Sequence, residues 1–199
     1  MLFNFIVEIA TQIIETLGYP GIFILMALES TAMPVPSEAV MPFAGFLIAQ
    51  SKLNFWLVMI VSTLAGIVGS LISYAIGAFG GKPLLERYGK YILIQKEELD
   101  KTEKWFKKKG SMTILISRFI PGVRHVISIP AGIGRMALAP FIIFTAIGVF
   151  LWNLFLVWLG VILEENYHLI PKYSSIIDIF VVIGIIFIII YFVKKIKHK

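Results

Sequence analysis

The chain has 199 residues, of which 58% are apolar and only 15% are charged. An ordinary soluble domain carries about 25% charged residues and has too little interior to bury so many apolar side chains. The composition therefore predicts one compact membrane domain with a handful of crossings, because each crossing takes about 20 residues. Soluble classes of protein are excluded.

Cysteine and histidine usage limits the chemistry that the chain can perform. There is no cysteine, which excludes disulfides, thiol nucleophiles and cysteine-ligated metals. The three histidines are scattered, so we expect no metal site and no cofactor. The net charge is +6. Basic residues in membrane proteins usually mark the cytoplasmic side, so this charge does not indicate a nucleic-acid partner and we expect none.

A narrow polar stripe runs through residues 1–17. Asn4, Glu8, Gln12 and Glu15 recur at spacings of four and three between apolar residues. This period predicts an amphipathic helix. Such a helix can lie in the membrane interface or cross the membrane with its polar stripe facing protein, and the sequence leaves both open.

Two apolar segments are interrupted by charges and prolines. Segment 22–49 contains Glu29 and Glu38, and segment 112–134 contains Arg118 and Arg124. Each half is shorter than the roughly 17 residues that a crossing needs, and proline breaks the helical hydrogen-bond ladder. Such backbone is tolerated at membrane depth only where protein or water satisfies it, so each segment predicts a re-entrant hairpin. The expected turn residues are Pro34, Pro36, Pro121 and Gly122.

Three other segments are long enough to cross. Residues 55–78 and 139–163 contain no charge, and residues 176–193 contain only Asp178. Each predicts a full transmembrane helix. The first of them carries small residues at four-residue spacing, which favours close packing within the chain, with a homo-oligomer interface as the alternative. Those residues are Ala65, Gly69, Ser73, Gly77 and Gly81.

Charge predicts the orientation. The loop 82–109 holds nine basic and five acidic residues, and residues 194–199 include four lysines. Both are expected in the cytoplasm, which requires 112–134 to return to the side it entered from. Each half then consists of a hairpin and a long span, with Ala44–Gly45 answering Ala131–Gly132. An inverted repeat with broken helices is typical of transporters.

The four charges in the hairpins are the candidate functional residues. An unpaired ion at the bilayer centre costs at least ~2.5 kcal/mol. Two structural ion pairs would satisfy them, but a polar site where the hairpins meet is the favoured interpretation. Arg118 and Arg124 suit a phosphate, because the guanidinium fork stays charged when buried. Glu29 and Glu38 can take up and release protons, and His125 is interpreted as a hydrogen-bonding neighbour.

Two motifs carry a family resemblance. Residues 28–46 read LESTAMPVPSEAVMPFAGF, and residues 117–125 read SRFIPGVRH, followed by Pro-Ala-Gly at 130–132. Both resemble the DedA family, also called the VTT or SNARE-associated Golgi protein family, and Trp152 fits as well. The resemblance implies two opposed re-entrant hairpins, movement of lipids between leaflets and dependence on the proton-motive force.

The same resemblance implies roles for individual residues. The family's essential acids map onto Glu29 and Glu38, and its essential arginines onto Arg118 and Arg124. Its bacterial members include transporters of undecaprenyl phosphate and of phosphatidylethanolamine, and its eukaryotic relatives are lipid scramblases. Many members have Leu-Pro-Gly-Asp where this chain has Val-Pro-Ser-Glu at 35–38, which leaves the lipid open.

These observations together predict an all-α integral membrane protein that is not an enzyme. We expect a multi-pass protein of the cell membrane that moves a phosphorylated lipid such as undecaprenyl phosphate with protons. A passive scramblase, a phosphatidylethanolamine transporter and a purely structural protein remain alternatives. A lipid phosphatase is disfavoured, because the site offers His125 without a nucleophile or a partner histidine.

Overall fold

The computed structural model describes residues 2–31, 35–80, 96–120 and 122–162, all within the compact unit Met1–Ile162. Every regular element in these ranges is helical, which confirms the predicted all-α class for the described part of the chain. The elements are α1 (Leu2–Leu17), α2 (Tyr19–Ser30), α3 (Ser37–Ala49), α4 (Phe55–Ala75) with a π-helical turn (Ile76–Gly80), α5 (Lys96–Ser117), α6 (Val123–Val126), α7 (Ser128–Ile133) and α8 (Leu138–Ile162).

Two of the helices are long and apolar enough to cross a membrane. They are α4 with its π-helical turn, Phe55–Gly80, and α8, Leu138–Ile162. At 1.5 Å per residue each is about 37 Å long or more, against a hydrocarbon core of about 30 Å. The predicted spans 55–78 and 139–163 are therefore confirmed as helices of spanning length. The predicted span 176–193 lies outside the described residues.

The two long helices expose apolar side chains along one face. On α4 this face carries Ile60, Leu64, Val68 and Ile72, and on α8 it carries Ile143, Ile147, Leu151 and Phe155. The spacing of about four residues places each set on one side of its helix. Large apolar faces turned outward suit hydrocarbon and not water, so the composition and the structure both indicate a membrane protein.

The opposite face of α4 packs inside the chain. Ser73 Oγ donates a hydrogen bond of 2.9 Å to the carbonyl oxygen of Ser30 in α2. A Cβ on Gly69 would overlap the carbonyl oxygen of Ala27, and a Cβ on Gly77 would overlap that of Ile129 in α7. The small residues thus allow the backbones of α2 and α7 to pack closely against α4, which is the packing within the chain that the sequence favoured. Gly81 lies outside the described residues.

The first broken segment folds as two short helices. α2 has 12 residues and α3 has 13, and neither is long enough to cross a bilayer alone. Pro36 precedes α3 with φ −81° and ψ 112°, the extended conformation that proline favours before a helix. Pro34 lies outside the described residues. The re-entrant path of this hairpin remains a prediction.

The second broken segment differs from the expectation at its start. The predicted boundary between the loop 82–109 and the segment 112–134 is absent, because α5 runs without interruption from Lys96 to Ser117. The change from charged to apolar residues near Gly110 contains no proline to stop a helix. The segment breaks only later, where Gly122 has φ 77°, a backbone conformation that favours glycine. Pro121 lies outside the described residues.

The two halves pack reciprocally on one another. A Cβ on Gly45 of α3 would overlap the carbonyl oxygen of Val157 in α8, and a Cβ on Gly160 would overlap that of Pro42. In the same way, a Cβ on Gly132 of α7 would overlap the carbonyl oxygen of Tyr74 in α4. Each broken segment therefore packs on the long helix of the other half. Reciprocal packing is what a repeat leads one to expect, and the inverted orientation remains a prediction.

Candidate functional site

Three of the four predicted charges meet at Arg124. Its Nη2 lies 2.7 Å from Glu29 Oε1 and 2.7 Å from Glu38 Oε1. The side chains of Arg124 and Glu29 are each 6% exposed, whereas that of Glu38 is 42% exposed. One arginine of the second broken segment is thus shared by two carboxylates of the first, one of them buried and the other half-exposed.

The ends of short helices position these charges. Glu29 lies in the last turn of α2, and Glu38 lies in the first turn of α3. An acidic side chain is favoured in a first turn, because the helix N-terminus carries a partial positive charge. Arg124 lies in α6, which begins directly after Gly122. The breaks in the two apolar segments therefore bring the charges together.

Arg124 has further partners around its guanidinium group. Its Nη2 donates a hydrogen bond of 2.7 Å to Ser37 Oγ. Its Cζ lies 4.9 Å from the ring centroid of Trp152 on α8, within the range of a cation–π contact. The ion pair with Glu29 is not a hydrogen bond, and Glu29 Oε1 has no hydrogen-bond partner among the described residues; the same holds for Arg124 Nε.

Arg118 has a different environment, in which every hydrogen-bond acceptor found in the described part of the chain is neutral. Its Nη2 donates to the hydroxyl groups of Ser70, Ser128 and Thr145 at 3.0, 3.1 and 3.1 Å. Its Nη1 donates to the carbonyl oxygen of Arg124 at 3.1 Å. Arg118 is 3% exposed, and none of the ion pairs found among the described residues includes it. It is a buried cation solvated by dipoles.

The stem of Arg118 fits where α8 has no side chain. A Cβ on Gly148 would lie 2.7 Å from Arg118 Cγ and 2.9 Å from its Cβ. The Cβ and Cγ atoms of Arg118 are next to its backbone, so they cannot move aside without moving that backbone. Gly148 therefore provides the space that Arg118 occupies.

His125 contacts Glu29, as expected of a neighbour. Its Nδ1 lies 3.3 Å from the carbonyl oxygen of Glu29 and 3.8 Å from Oε1 of that carboxylate. The described residues contain no group of three or more His, Cys, Asp and Glu placed to hold a metal ion.

A small cavity lies beside the arginines. Its volume of about 20 Å³ is enough for about one water molecule. It is lined by Met26, Glu29, Ser30, Arg118, Arg124, His125, Val149, Trp152 and Asn153. Three of these residues carry a buried nitrogen without an acceptor among the described residues, namely Arg118 Nε, Arg124 Nε and Asn153 Nδ2. The cavity is thus rich in hydrogen-bond donors.

Comparison with known proteins gives the family. Residues 35–162 match the family model described as the VTT domain. The chain belongs to the VTT domain family. The predicted membership of this family, also called DedA, is confirmed, and Protein DedA of Escherichia coli (strain K12) is itself 29% identical over 170 residues. No solved structure matches the chain.

Relatives of this VTT domain protein match nearly its whole length. Undecaprenyl phosphate transporter A of Bacillus subtilis (strain 168) is 35% identical, over 96% of this chain and 95% of its own. Undecaprenyl phosphate transporter A of Staphylococcus aureus (strain NCTC 8325 / PS 47) is also 35% identical, over 96% and 98%. A protein of Lactococcus lactis subsp. lactis (strain IL1403) named alkaline phosphatase-like is 40% identical, over 94% and 92%.

Sequence analysis of the VTT domain protein missed most of the neutral members of the site. Those polar residues are Ser37, Ser70, Ser128, Thr145 and Asn153, and Trp152 was noticed only as part of the family resemblance. A signal existed for some of them, since Thr145 and Asn153 are polar residues inside the otherwise apolar segment 139–163. Polar side chains at membrane depth usually face protein and form hydrogen bonds there.

Proposed function

We propose that this VTT domain protein moves a phosphorylated lipid, such as undecaprenyl phosphate, between the leaflets of the cell membrane together with protons. The observation that carries the proposal is Arg118, a buried guanidinium whose hydrogen-bond acceptors among the described residues are all neutral. A lipid phosphate would supply the missing negative charge, and the arginine fork matches phosphate geometry. The names of the two transporter relatives support the same substrate.

The shared arginine suggests how protons enter the cycle. A phosphate that approaches Arg124 competes with the carboxylates of Glu29 and Glu38, which lie at the same nitrogen. A carboxyl group that takes up a proton loses its charge and releases the guanidinium to the phosphate. Proton and lipid phosphate then occupy the site at the same time and travel in the same direction. Glu38 is the residue that exchanges protons with water, because its side chain is half-exposed.

We further propose that the loop 82–109 and the lysine tail face the cytoplasm, as the distribution of basic residues indicates. With that orientation, the two hairpins open toward opposite sides of the membrane. The site between them then has a path to each leaflet. A homo-oligomer is not needed for this arrangement.

A second candidate is movement of a zwitterionic lipid such as phosphatidylethanolamine, with or without proton coupling. The observation that favours it is the half-exposed carboxylate of Glu38 beside a buried cation. A carboxylate can bind the ammonium of such a head group while Arg118 binds the phosphate. Passive scrambling needs only this pairing and no proton.

Transport by the purified full chain in liposomes tests the proposal. A labelled polyprenyl phosphate is placed in both leaflets, and a soluble phosphatase added outside reports the outward-facing fraction over time. We expect the protein to speed exchange, and a pH gradient to shift the fraction toward the less acidic side. Arg118→Lys should abolish transport, because one ammonium cannot reproduce the contacts of both Nη1 and Nη2.

The matched control is Arg135→Lys. Arg135 is exposed and lies outside the site, so this variant should transport normally. Full transport by Arg118→Lys would contradict the assignment of the anion site. Transport that ignores the pH gradient would favour the scramblase, and faster movement of phosphatidylethanolamine than of polyprenyl phosphate would favour the second candidate.

A further inference from the structure

One of the unpaired hydrogen-bond donors beside the cavity belongs to a neutral side chain, that of Asn153. Asn153 is 1% exposed, and its Nδ2 has no acceptor among the described residues. Two turns earlier on α8, Thr145 accepts a hydrogen bond from Arg118, and Val149 between them lines the cavity. Residues at spacings of four share a helix face, so Asn153 lies on the face of α8 that forms the site.

The hydrogen-bonding capacity of the cavity is specific. Three nitrogens, Arg118 Nε, Arg124 Nε and Asn153 Nδ2, can still donate. Glu29 Oε1 is in ion-pair contact with Arg124 Nη2 at 2.7 Å but accepts no hydrogen bond, so it can still accept one. Leaving such groups unsatisfied in a buried site is costly, so the arrangement calls for a ligand with several acceptors and one donor. A phosphate monoester carrying one proton, R–O–PO₃H⁻, has this pattern. A phosphate diester has fewer free oxygens and no P–OH group.

We propose that Asn153 contacts the substrate and that its Nδ2 donates a hydrogen bond to a phosphate oxygen of the lipid head group, which selects a monoester over a diester. The inference rests on the proposed function and names the class of substrate. The oxygens of the phosphate accept from Arg118, Arg124 and Asn153, and its P–OH donates to Glu29. Because the cavity has room for about one water, binding must widen it.

The test compares two lipids and three variants of the full chain in liposomes. The lipids are a polyprenyl phosphate and its methyl diester on the same chain. The variants are Asn153→Leu, which removes the donor, Asn153→Asp, which has the same shape but repels phosphate, and Ser62→Ala as a control. Ser62 is buried on α4 and donates to the carbonyl oxygen of Met59, away from the cavity.

Wild type is expected to prefer the monoester. Asn153→Leu should raise the KM for the monoester about tenfold, the factor for a hydrogen bond to a charged group, with a smaller change in kcat and in the KM for the diester. Asn153→Asp should raise the KM further, and Ser62→Ala should leave it unchanged. Melting temperatures show whether Asn153→Leu is still folded. If it is not, the comparison of wild type with the isosteric Asn153→Asp decides the test.

Inorganic phosphate distinguishes the source of the ligand. If inorganic phosphate inhibits lipid transport by wild type but not by Asn153→Leu, the site binds phosphate from either source. No competition, with the KM effect intact, would assign it to the lipid head group alone. Both results support the donor role of Asn153.

Two results would overturn the inference, and they differ in meaning. If wild type transports polyprenyl phosphate but a folded Asn153→Leu keeps the same KM and the same preference, a water molecule satisfies Asn153 and this inference alone fails. If wild type neither binds nor transports polyprenyl phosphate, the proposed function fails and this inference fails with it.

Discussion

The sharing of Arg124 by two carboxylates predicts an order of stability among three neutral substitutions. Arg124→Gln leaves Glu29 buried without its cation, since the nearest other basic atom found is His125 Nδ1 at 3.8 Å. Glu29→Gln leaves Arg124 with Glu38 still at 2.7 Å. Glu38→Gln removes the half-exposed partner and keeps the buried pair. We expect destabilisation to fall in that order.

The magnitudes follow from burial. Removing one member of a buried ion pair costs about 3–5 kcal/mol, which applies to Arg124→Gln. Glu38→Gln breaks a contact that is 42% exposed on the acid side, so its cost should be about 1 kcal/mol or less. Glu29→Gln should fall between them. The double variant Glu29→Gln/Arg124→Gln removes both buried charges, so it should recover part of the loss of Arg124→Gln.

The assay is unfolding of the purified protein in mixed detergent micelles, with melting temperatures as a second measure. Wild type, Glu29→Gln, Arg124→Gln and the double variant form a double-mutant cycle, and Glu38→Gln is the control for an exposed acid. Transport should stay abolished in the double variant even where stability returns, because the phosphate site has lost Arg124. Equal costs for Glu29→Gln and Glu38→Gln, or restored transport in the double variant, would refute the reasoning.

Three other predictions concern packing, orientation and chemistry. Gly148→Ala should destabilise the protein by about 1–3 kcal/mol and abolish liposome transport, because the new Cβ would lie 2.7 Å from Arg118 Cγ. The control is Gly80→Ala, whose Cβ would have no atom within 4 Å, and it should behave as wild type. Lys90→Cys should react with an impermeant maleimide only in opened cells, and labelling of intact cells would place the loop outside. Incubation with polyprenyl phosphate should release no inorganic phosphate in a colorimetric assay, and stoichiometric release would indicate a phosphatase.

The sequence predicted the parts of the fold that depend on composition alone. Uninterrupted apolar residues predicted α4 and α8, because length and hydropathy suffice for a membrane helix. Four charged residues inside the two broken apolar segments predicted a shared polar centre, because isolated ions at that depth are costly. They are Glu29, Glu38, Arg118 and Arg124. Three of the four meet at one nitrogen of Arg124, whereas their functional roles remain predictions.

Other features depend on contacts between residues that are distant in the chain. Nothing in the sequence distinguishes Glu29 from Glu38, yet one is buried and the other half-exposed. The hydroxyl groups that solvate Arg118 come from Ser70, 48 residues away, and Thr145, 27 residues away. Continuity of α5 through Gly110 was also missed, because a change in polarity does not end a helix.

The reciprocal packing of the two broken segments has a consequence for biogenesis. Gly45 faces the backbone of α8, and Gly132 faces the backbone of α4, so neither half completes its helix contacts from its own residues. The halves exchange contacts, with α3 on α8 and α7 on α4, while α2 packs on α4 within its own half. The packing of α3 is therefore complete only after α8 has been synthesised. Two separately expressed halves, divided within residues 82–95, should find each other and assemble.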